Sequence, residues 1–198
     1  MFTGIISHLG RFSGYRRATA EYSVEAPGLA ARTAAGDSVA VNGVCLSVIR
    51  TDGDHFVFNL SRETVERTNL AALRLGASVN LELPLTLATP LGGHLVSGHI
   101  DFVAKLRRSV PRAPGRRMVF ALPAAFRPFV VEKGSVAVNG VSLTIAAVSP
   151  GTFDVEVIPV TLAATNLGDL AVGGEANIEC DMIGKYVYNW LSQTKGKD

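Results

Sequence analysis

The stretch SVAVNGVCLS at residues 38–47 recurs as SVAVNGVSLT at residues 135–144, an offset of 97. The two copies align without a gap from residue 38 to residue 82, and 17 of these 45 positions are identical. Chance does not produce such a match, so the chain carries a tandem duplication. A repeat of roughly 95 residues is too long for a solenoid, and two copies are too few for a propeller. The duplication therefore favours two similar domains.

Each copy has the pattern of short β-strands. The dipeptides Asn42-Gly43 and Asn139-Gly140 separate β-branched runs, and both residue types tolerate the positive φ of a tight hairpin turn. Residues 77–83 alternate apolar and polar side chains with the period of a strand, whereas residues 63–75 suit a short helical turn. Many short strands predict a small antiparallel barrel, whose closure removes exposed sheet edges.

The ends of the repeats add further elements. Residues 2–6 (FTGII) resemble residues 96–100 (VSGHI), so each copy is expected to begin with a small hydroxyl residue, a glycine and an apolar strand. Apolar side chains at helical spacing between Asp181 and Trp190 predict a terminal helix, which fits packing on its own barrel and an oligomer seam equally well. The predicted fold is all-β: two tandem, similar Greek-key β-barrels at residues 1–93 and 94–181, followed by a C-terminal α-helix and tail at residues 182–198.

The composition excludes several classes of protein. Hydrophobic residues make up 47% of the chain and charged residues 18%, which favours a packed core over disorder. No apolar run approaches the roughly 18 residues of a membrane span, and the first residues lack the pattern of a signal peptide. We therefore expect a soluble cytoplasmic protein without a membrane partner.

Charge and cysteine content give no sign of nucleic-acid or metal binding. The formal net charge of +2 is too small to indicate a nucleic-acid partner. A local basic cluster at residues 107–117 contains Pro111, Pro114 and Gly115, and we interpret it as a solvated loop rather than a phosphate or RNA patch. Cys45 and Cys180 lie in no Cys/His cluster, so we expect no metal site and two free thiols.

Five segments together resemble the riboflavin synthase α-chain family: residues 1–6, 42–46, 92–101, 139–144 and 178–186. The resemblance covers nearly the whole chain, in order and with consistent spacing. It implies that each barrel binds one 6,7-dimethyl-8-ribityllumazine. One lumazine then donates a four-carbon unit to the other, which gives riboflavin and a ribitylamino-pyrimidinedione without a cofactor.

The resemblance also implies an assembly and a set of site residues. It implies a homotrimer that associates through its C-terminal helices, with the productive site between the N-terminal barrel of one subunit and the C-terminal barrel of another. Association with lumazine synthase is left open. Catalytic or near-catalytic roles are implied for Ser38, Cys45, His99, Ser142, Thr144 and Asp181. Substrate contacts are implied at Gly4, Ile5, Ile6, Cys45, Leu46, Ser47, Asn59, Leu60, Ser61, Arg62, Glu63, Thr64, Gly98, His99, Ile100, Lys133, Ser142, Leu143, Thr144, Ile158, Pro159, Val160, Thr161, Leu162 and Ala163.

The chemistry requires a ring methyl group to lose a proton, a second ring to accept a nucleophile, and both rings to be held face to face. His99 is the best candidate for the base, because histidine exchanges protons near neutrality. It can also be a satisfied histidine at the start of a strand. The nucleophile is left open between Cys45, Ser142 and a bound water.

Other polar candidates have two interpretations each. The hydroxyls of Ser47 and Thr144 suit ring carbonyls or the ribityl chain, or they are ordinary strand hydroxyls. Asp181 either orients a proton carrier or caps the last helix. Lys133 either pairs with a polar ligand group or is a solvated loop lysine.

The sequence departs from the family pattern at several positions. Ser47 stands where threonine is more frequent, and Phe102 replaces a glycine, which is expected to alter a nearby turn. Val160 and Ala163 stand where polar residues are frequent, whereas their first-half counterparts are Glu63 and Glu66. We hypothesise that this asymmetry helps to fix which lumazine donates and which accepts.

Three other functions would share part of this sequence pattern. A non-catalytic lumazine- or flavin-binding protein, such as an optical antenna, would depart from the motifs that are intact at residues 97–99 and 142–144. A flavin-dependent reductase is disfavoured because no nicotinamide-type glycine motif opens a helix after a strand. A purely structural duplicated barrel would not explain the polar residues at equivalent positions. The sequence therefore favours the enzyme.

Overall fold

The computed structural model describes residues 1–194, and the chain folds into two groups of six β-strands followed by a helix. The strands of the first group are β1 (His8–Arg16), β2 (Glu21–Glu25), β3 (Ser38–Val41), β4 (Val44–Asp52), β5 (His55–Asn59) and β6 (Ser78–Glu82). Those of the second are β7 (Phe102–Arg112), β8 (Gly115–Ala121), β9 (Ser135–Val138), β10 (Val141–Ser149), β11 (Thr152–Val157) and β12 (Glu175–Cys180). The α-helices are α1 (Arg62–Arg67), α2 (Pro159–Ala164) and α3 (Met182–Thr194), and short 3-10 helices lie at Ala30–Arg32, Leu70–Ala72 and Ala124–Phe129.

The first six strands close into a barrel in the order β1-β2-β5-β4-β3-β6. We call this the N-terminal barrel. Its core contains Tyr22, Phe56, Phe58 and Leu81, all fully buried. The predicted Asn-Gly turn joins β3 to β4, with φ of 47° at Asn42 and 78° at Gly43, as a two-residue hairpin requires.

The remaining six strands, here the C-terminal unit, pair in the cyclic order β10-β11-β8-β7-β12-β9. This is the order of the N-terminal barrel with six added to each label, and from β3 to β5 the strand starts repeat at the predicted offset of 97. A separate core forms here around Met118, Phe120, Ile145 and Phe153. The predicted mostly β chain, with two repeats, a closed six-stranded barrel and a terminal helix, is confirmed.

The structure corrects two local expectations. The basic cluster at residues 107–117 is not a loop, because it belongs to the long β7–β8 hairpin, where Arg117 donates to Asp154 Oδ2 at 2.8 Å. Its prolines lie at Pro111 and Pro114, near the hairpin end, so most of the ladder forms despite them. The strand expected directly after Gly4 begins only at His8.

Phe102 begins β7 and buries its ring. The ring stacks on Phe126, with the ring centroids 4.6 Å apart. The residue therefore extends the core of the C-terminal unit and lies in a strand rather than in a turn.

Six buried or half-buried asparagines join the two halves. Asn80 Nδ2 donates to Asn139 O at 2.9 Å, and its counterpart Asn177 Nδ2 donates to Asn42 O at the same distance. The backbones of the two turns approach so closely that a Cβ on Gly43 would lie 2.7 Å from the nitrogen of Gly140. The full set is Asn42, Asn69, Asn80, Asn139, Asn166 and Asn177. These bonds fix the halves relative to each other.

Helix α3 is capped by Asp181, whose Oδ1 accepts from the N–H of Ile183 at 3.0 Å. One side of the helix contacts the C-terminal unit, where Tyr188 packs edge-on against Phe129. The other side leaves Tyr186 73% and Trp190 67% exposed. Among residues 1–194, none of the helices is both long and apolar enough to span a bilayer.

Candidate functional site

The two halves exchange the segments that precede their first strands. Ser142 N, in β10 of the second half, donates to the carbonyl of Gly4 at 2.8 Å, and Cys45 N, in β4 of the first half, donates to that of Gly98 at 2.9 Å. The side chains follow the same exchange, because Ile6 packs against the core of the C-terminal unit and Ile100 against that of the N-terminal barrel. The structure thus brings residues 4–6 together with Ser142 rather than with Cys45.

Glycine is required at both places where an exchanged segment meets a strand of the opposite half. Gly4 has a φ of +76°, and a Cβ there would lie 2.6 Å from the Cβ of Ser142. Gly98 has a φ of +86°, and a Cβ there would lie 2.8 Å from the backbone nitrogen of Cys45. An L side chain would be strained and would push the segment away from the strand.

These contacts define two candidate pockets. The N-terminal pocket comprises Cys45 and Ser47 of β4 with residues 97–100, and the C-terminal pocket comprises Ser142 and Thr144 of β10 with residues 3–6. Because strand side chains alternate, Cys45 and Ser47 face away from the barrel core in which Leu46 is buried. Cys45 packs instead against a small cluster formed by Phe2, Ala40, Val96 and Ala137.

The C-terminal pocket adjoins a cavity of about 340 Å³ that Thr144 and Lys133 line together with Arg112, Arg117, Ala146 and Glu156. Lys133 is exposed and has a φ of +66°. Its backbone N–H donates to Ile145 O at 2.9 Å. Lys133 and Thr144 therefore line the same cavity.

Ser142 is hydrogen-bonded to a histidine that the sequence analysis did not assign. His94 Nδ1 lies 2.7 Å from Ser142 Oγ, and the backbone N–H of His94 donates to Thr3 O at 3.1 Å. Burial lowers the pKa of His94, while the carboxylates of Asp181 and Glu179 act in the opposite direction. A mostly neutral imidazole beside a hydroxyl is the geometry of a nucleophile–base pair.

His99, the base favoured from sequence, lies in the other pocket. Its ring is exposed, and its backbone N–H donates to Ser97 Oγ at 3.2 Å. Within the described residues no hydrogen bond to the His99 ring is present. Sequence reasoning quoted His94 only as part of a motif, and its sole signal was the Gly-Gly-His sequence in a linker.

The remaining predicted residues fall into three groups. Buried or partly buried in the cores are Leu46, Leu60, Leu143 and Leu162. Exposed at the surface are Ile5, Asn59, Ser61, Arg62, Glu63, Ile158, Pro159, Val160 and Ala163. Half-buried are Ser38, which pairs with Ser47 across β3 and β4, and Ile6, Thr64, Ile100, Thr161 and Asp181. Leu46 and Leu60 can therefore offer a ligand only their backbone.

Helices α1 and α2 occupy equivalent places and differ in polarity. In α1, Arg62 pairs with Glu66 at 2.7 Å, and Glu63 pairs with Arg67. Both carboxylates of the first half are thus neutralised by neighbours. In α2 the corresponding surface is apolar, with Val160 66% exposed. The two halves differ here in apolar character rather than in free negative charge.

The two thiols have different environments. Cys45 is half-buried in the N-terminal pocket. Cys180 is fully buried, and burial together with the Asp101 carboxylate raises its pKa to about 12, which makes it inert. Across residues 1–194, no three His, Cys, Asp or Glu side chains cluster in a way that could hold a metal ion.

Comparison with protein families matches the chain twice. The family model described as the lumazine binding domain matches residues 3–84 and 97–181. These ranges contain both groups of strands and both exchanged glycines.

Comparison with curated proteins gives relatives over nearly the full length. Riboflavin synthase of Mycobacterium tuberculosis (strain ATCC 25618 / H37Rv) is 39% identical over 193 residues, which cover 94% of this chain and 96% of the relative. Riboflavin synthase of Photobacterium phosphoreum is 38% identical over 203 residues, covering 100% of this chain and 92% of the relative. That of Bacillus subtilis (strain 168) is 36% identical, covering 96% and 90%.

Among solved structures, LumP complexed with 6,7-dimethyl-8-(1'-D-ribityl) lumazine superimposes with a TM-score of 0.82 at 23% identity, covering 91% of this chain and 99% of that one. LumP complexed with riboflavin gives 0.84 at 24% identity, with the same coverage. At this level of identity the likeness shows the fold alone.

Proposed function

Since this chain belongs to the lumazine-binding domain family, we propose that it is a riboflavin synthase. It converts two molecules of 6,7-dimethyl-8-ribityllumazine into riboflavin and 5-amino-6-ribitylamino-pyrimidinedione by transfer of a four-carbon unit. The observation that carries this proposal is the pair of unequal pockets, each completed by a segment of the opposite half. One contains Cys45 and the other contains the hydrogen-bonded pair of Ser142 and His94.

We propose that the C-terminal pocket supplies the proton acceptor. His94 stays neutral near pH 7 because burial lowers its pKa. It can therefore accept a proton from the Ser142 hydroxyl as that hydroxyl takes a proton from the ring methyl group. The imidazolium that forms is stabilised by the negative charges of Asp181 and Glu179. Asp181 thus combines the two roles that the sequence left open, since it also caps α3.

In the N-terminal pocket we propose that Cys45, Ser47 and His99 face the second lumazine. Cys45 offers a half-exposed thiol for transient addition to the ring. The reaction requires no external oxidant, because the second lumazine gains the four-carbon unit that the first one loses. The apolar α2 and the ion-paired α1 give the two substrates different surroundings, and we propose that this difference separates donor from acceptor.

We also propose a Greek-key winding for both halves. Strands β3, β4 and β5 are connected by hairpins, and β2 lies beside β5 but is joined to β3 by a long connection. This order supports a Greek-key winding. The domain limits at residues 93 and 181 and a cytoplasmic location stay predictions. The exposed apolar side of α3 supports association of three chains through their terminal helices, whereas an association with lumazine synthase is left open.

The test is to incubate the purified protein with the lumazine alone, without metal or nucleotide, and to follow both products. Equal amounts of riboflavin and the pyrimidinedione are expected. His94→Gln should abolish turnover, while the matched variant His99→Gln reports the contribution of the other pocket. Tight lumazine binding without riboflavin would contradict the proposal and favour a non-catalytic lumazine-binding protein.

A further inference from the structure

A buried glutamate near the end of the last strand of each half holds the exchanged segment. Glu82 in β6 is 6% exposed, and Glu179 in β12 is 2% exposed. The two residues are equivalent at the offset of 97.

Both carboxylates make the same three hydrogen bonds. Glu82 accepts from Thr3 N at 2.6 Å, Thr3 Oγ at 2.6 Å and Gly4 N at 3.0 Å. Glu179 accepts from Ser97 N at 2.7 Å, Ser97 Oγ at 2.6 Å and Gly98 N at 2.9 Å. In each case both carboxylate oxygens are used. Bonds of this charge-assisted kind are roughly twice as strong as neutral ones.

Neither carboxylate has a cation as partner within the described residues, since none of the ion pairs there includes Glu82 or Glu179. Burying a charge that is held by N–H and O–H donors destabilises the fold, because the charge loses its hydration. An apolar side chain at the same place in the strand would avoid this penalty. The cost is visible at Glu82, because burial raises its pKa against the opposing effects of its hydrogen bonds and, more weakly, of the N-terminal ammonium, which forms no ion pair with it. A structural role at the end of the strand therefore does not by itself explain why these two residues are glutamates.

The bonds cross between the halves. Glu82 belongs to the N-terminal barrel, but the segment it holds ends on Ser142 of the C-terminal pocket. Glu179 belongs to the C-terminal unit, but its segment ends on Cys45 of the N-terminal pocket. We propose that Glu82 and Glu179 are positioning residues, each of which sets the wall of the pocket in the opposite half. The assignment of these pockets to two substrates rests on the proposed function.

The chain contains its own reporter for this proposal. The Cys45 thiol lies in the N-terminal pocket, and Cys180 is too buried to react. Ser142 is the counterpart of Cys45, so the double substitution Cys45→Ser/Ser142→Cys moves the thiol to the C-terminal pocket by exchanging two equivalent residues. In either background the rate of reaction with an aromatic disulfide reports how well the exchanged segment covers the strand.

The experiment combines each thiol position with Glu82→Gln and, as its matched counterpart, Glu179→Gln. Glu179→Gln should raise the reaction rate of Cys45 by about tenfold, because it weakens three charge-assisted bonds and opens the segment locally. The thiol introduced by Ser142→Cys should react at an unchanged rate. Glu82→Gln should have the reverse pattern.

Two outcomes would overturn the proposal: equal acceleration of both thiols by either variant, which is what a merely loosened fold produces, or no acceleration at all. If a glutamine variant does not unfold cooperatively in urea, the aspartate variants are used instead. They keep the charge but shorten the reach, and they must show the same crosswise pattern. The rates need no substrate, so a protein that makes no riboflavin still tests the positioning role separately.

Discussion

The two glycines at residues 92 and 93 provide a sharp test of how closely the linker fits the C-terminal pocket. A Cβ on Gly93 would collide with Thr3 O and would lie 2.8 Å from Ser142 Cβ and 2.9 Å from Ser142 Oγ. A Cβ on Gly92 would meet only the Ile5 side chain, with Cγ1 at 3.5 Å and Cδ1 at 3.9 Å, which are ordinary contacts. Gly93→Ala should therefore be harmful and Gly92→Ala harmless, although the two positions are neighbours in the same loop.

The cost can be worked out from two contributions. Forcing a methyl group into a filled space costs about 1–3 kcal/mol. The displaced Thr3 carbonyl also loses the 3.1 Å hydrogen bond from His94 N, which is worth about 1 kcal/mol. Together Gly93→Ala should lower the free energy of unfolding by about 2–4 kcal/mol. A typical domain has about 5–15 kcal/mol, so the variant should still fold.

Urea unfolding of both variants measures this difference, and riboflavin formation measures its effect on the site. We expect Gly93→Ala to reduce turnover as well, because the clash separates His94 from Ser142, while Gly92→Ala stays within about 0.5 kcal/mol of the parent protein. If the free energy of unfolding of Gly93→Ala also stays within about 0.5 kcal/mol of the parent protein, and its turnover is normal, the linker does not pack as closely against the C-terminal pocket as described.

Three further perturbations test the core, the base and the terminal helix. Tyr22 is fully buried and its hydroxyl has no hydrogen-bond partner among the described residues. Tyr22→Phe should therefore leave the free energy of unfolding unchanged or raise it by about 1 kcal/mol. A clearly lower melting temperature of the variant would mean that the hydroxyl is hydrogen-bonded. Because burial lowers the pKa of His94, the base stays neutral as the pH falls through about 6.5. The acidic limb of the kcat/KM profile should therefore lie below that pH, and a limb above it would exclude His94 as the base. Ile183→Ser/Trp190→Ser removes apolar area from the exposed side of α3. If the proposed trimer forms through α3, this variant should sediment as a folded monomer where the parent protein sediments as a trimer; a variant that sediments like the parent trimer would place the interface elsewhere.

The repeat made most of the strands predictable. An offset that recurs without a gap transfers each assignment in one half to the other, and Asn42-Gly43 identifies its turn by local backbone preference alone. The β7–β8 hairpin escaped prediction because arginines and Pro111 obscure the alternation of its side chains. The side chain that neutralises Arg117, Asp154, belongs to another strand and lies 37 residues away in the sequence.

The sequence gives candidate site residues but not their arrangement. Ser142 is a candidate through its motif and Lys133 through the family resemblance, and both are local information. The exchange of segments depends on contacts such as Gly4 with Ser142, which lie more than a hundred residues apart and follow no periodic pattern. His94 became a candidate only when its distance to Ser142 was known. The roles of Glu82 and Glu179 were hidden for the same reason.

The crossed segments and the asparagines that join the halves have the form of a swapped homodimer whose two chains have become one. In a true homodimer every substitution appears twice, so both binding places change together and stay alike. Covalent fusion through residues 84–94 removes that constraint while keeping the twofold geometry. Cys45 can then differ from Ser142, and Glu63 from Val160, without a matching change in the other half. A symmetric body can in this way hold two identical molecules in two chemically different settings.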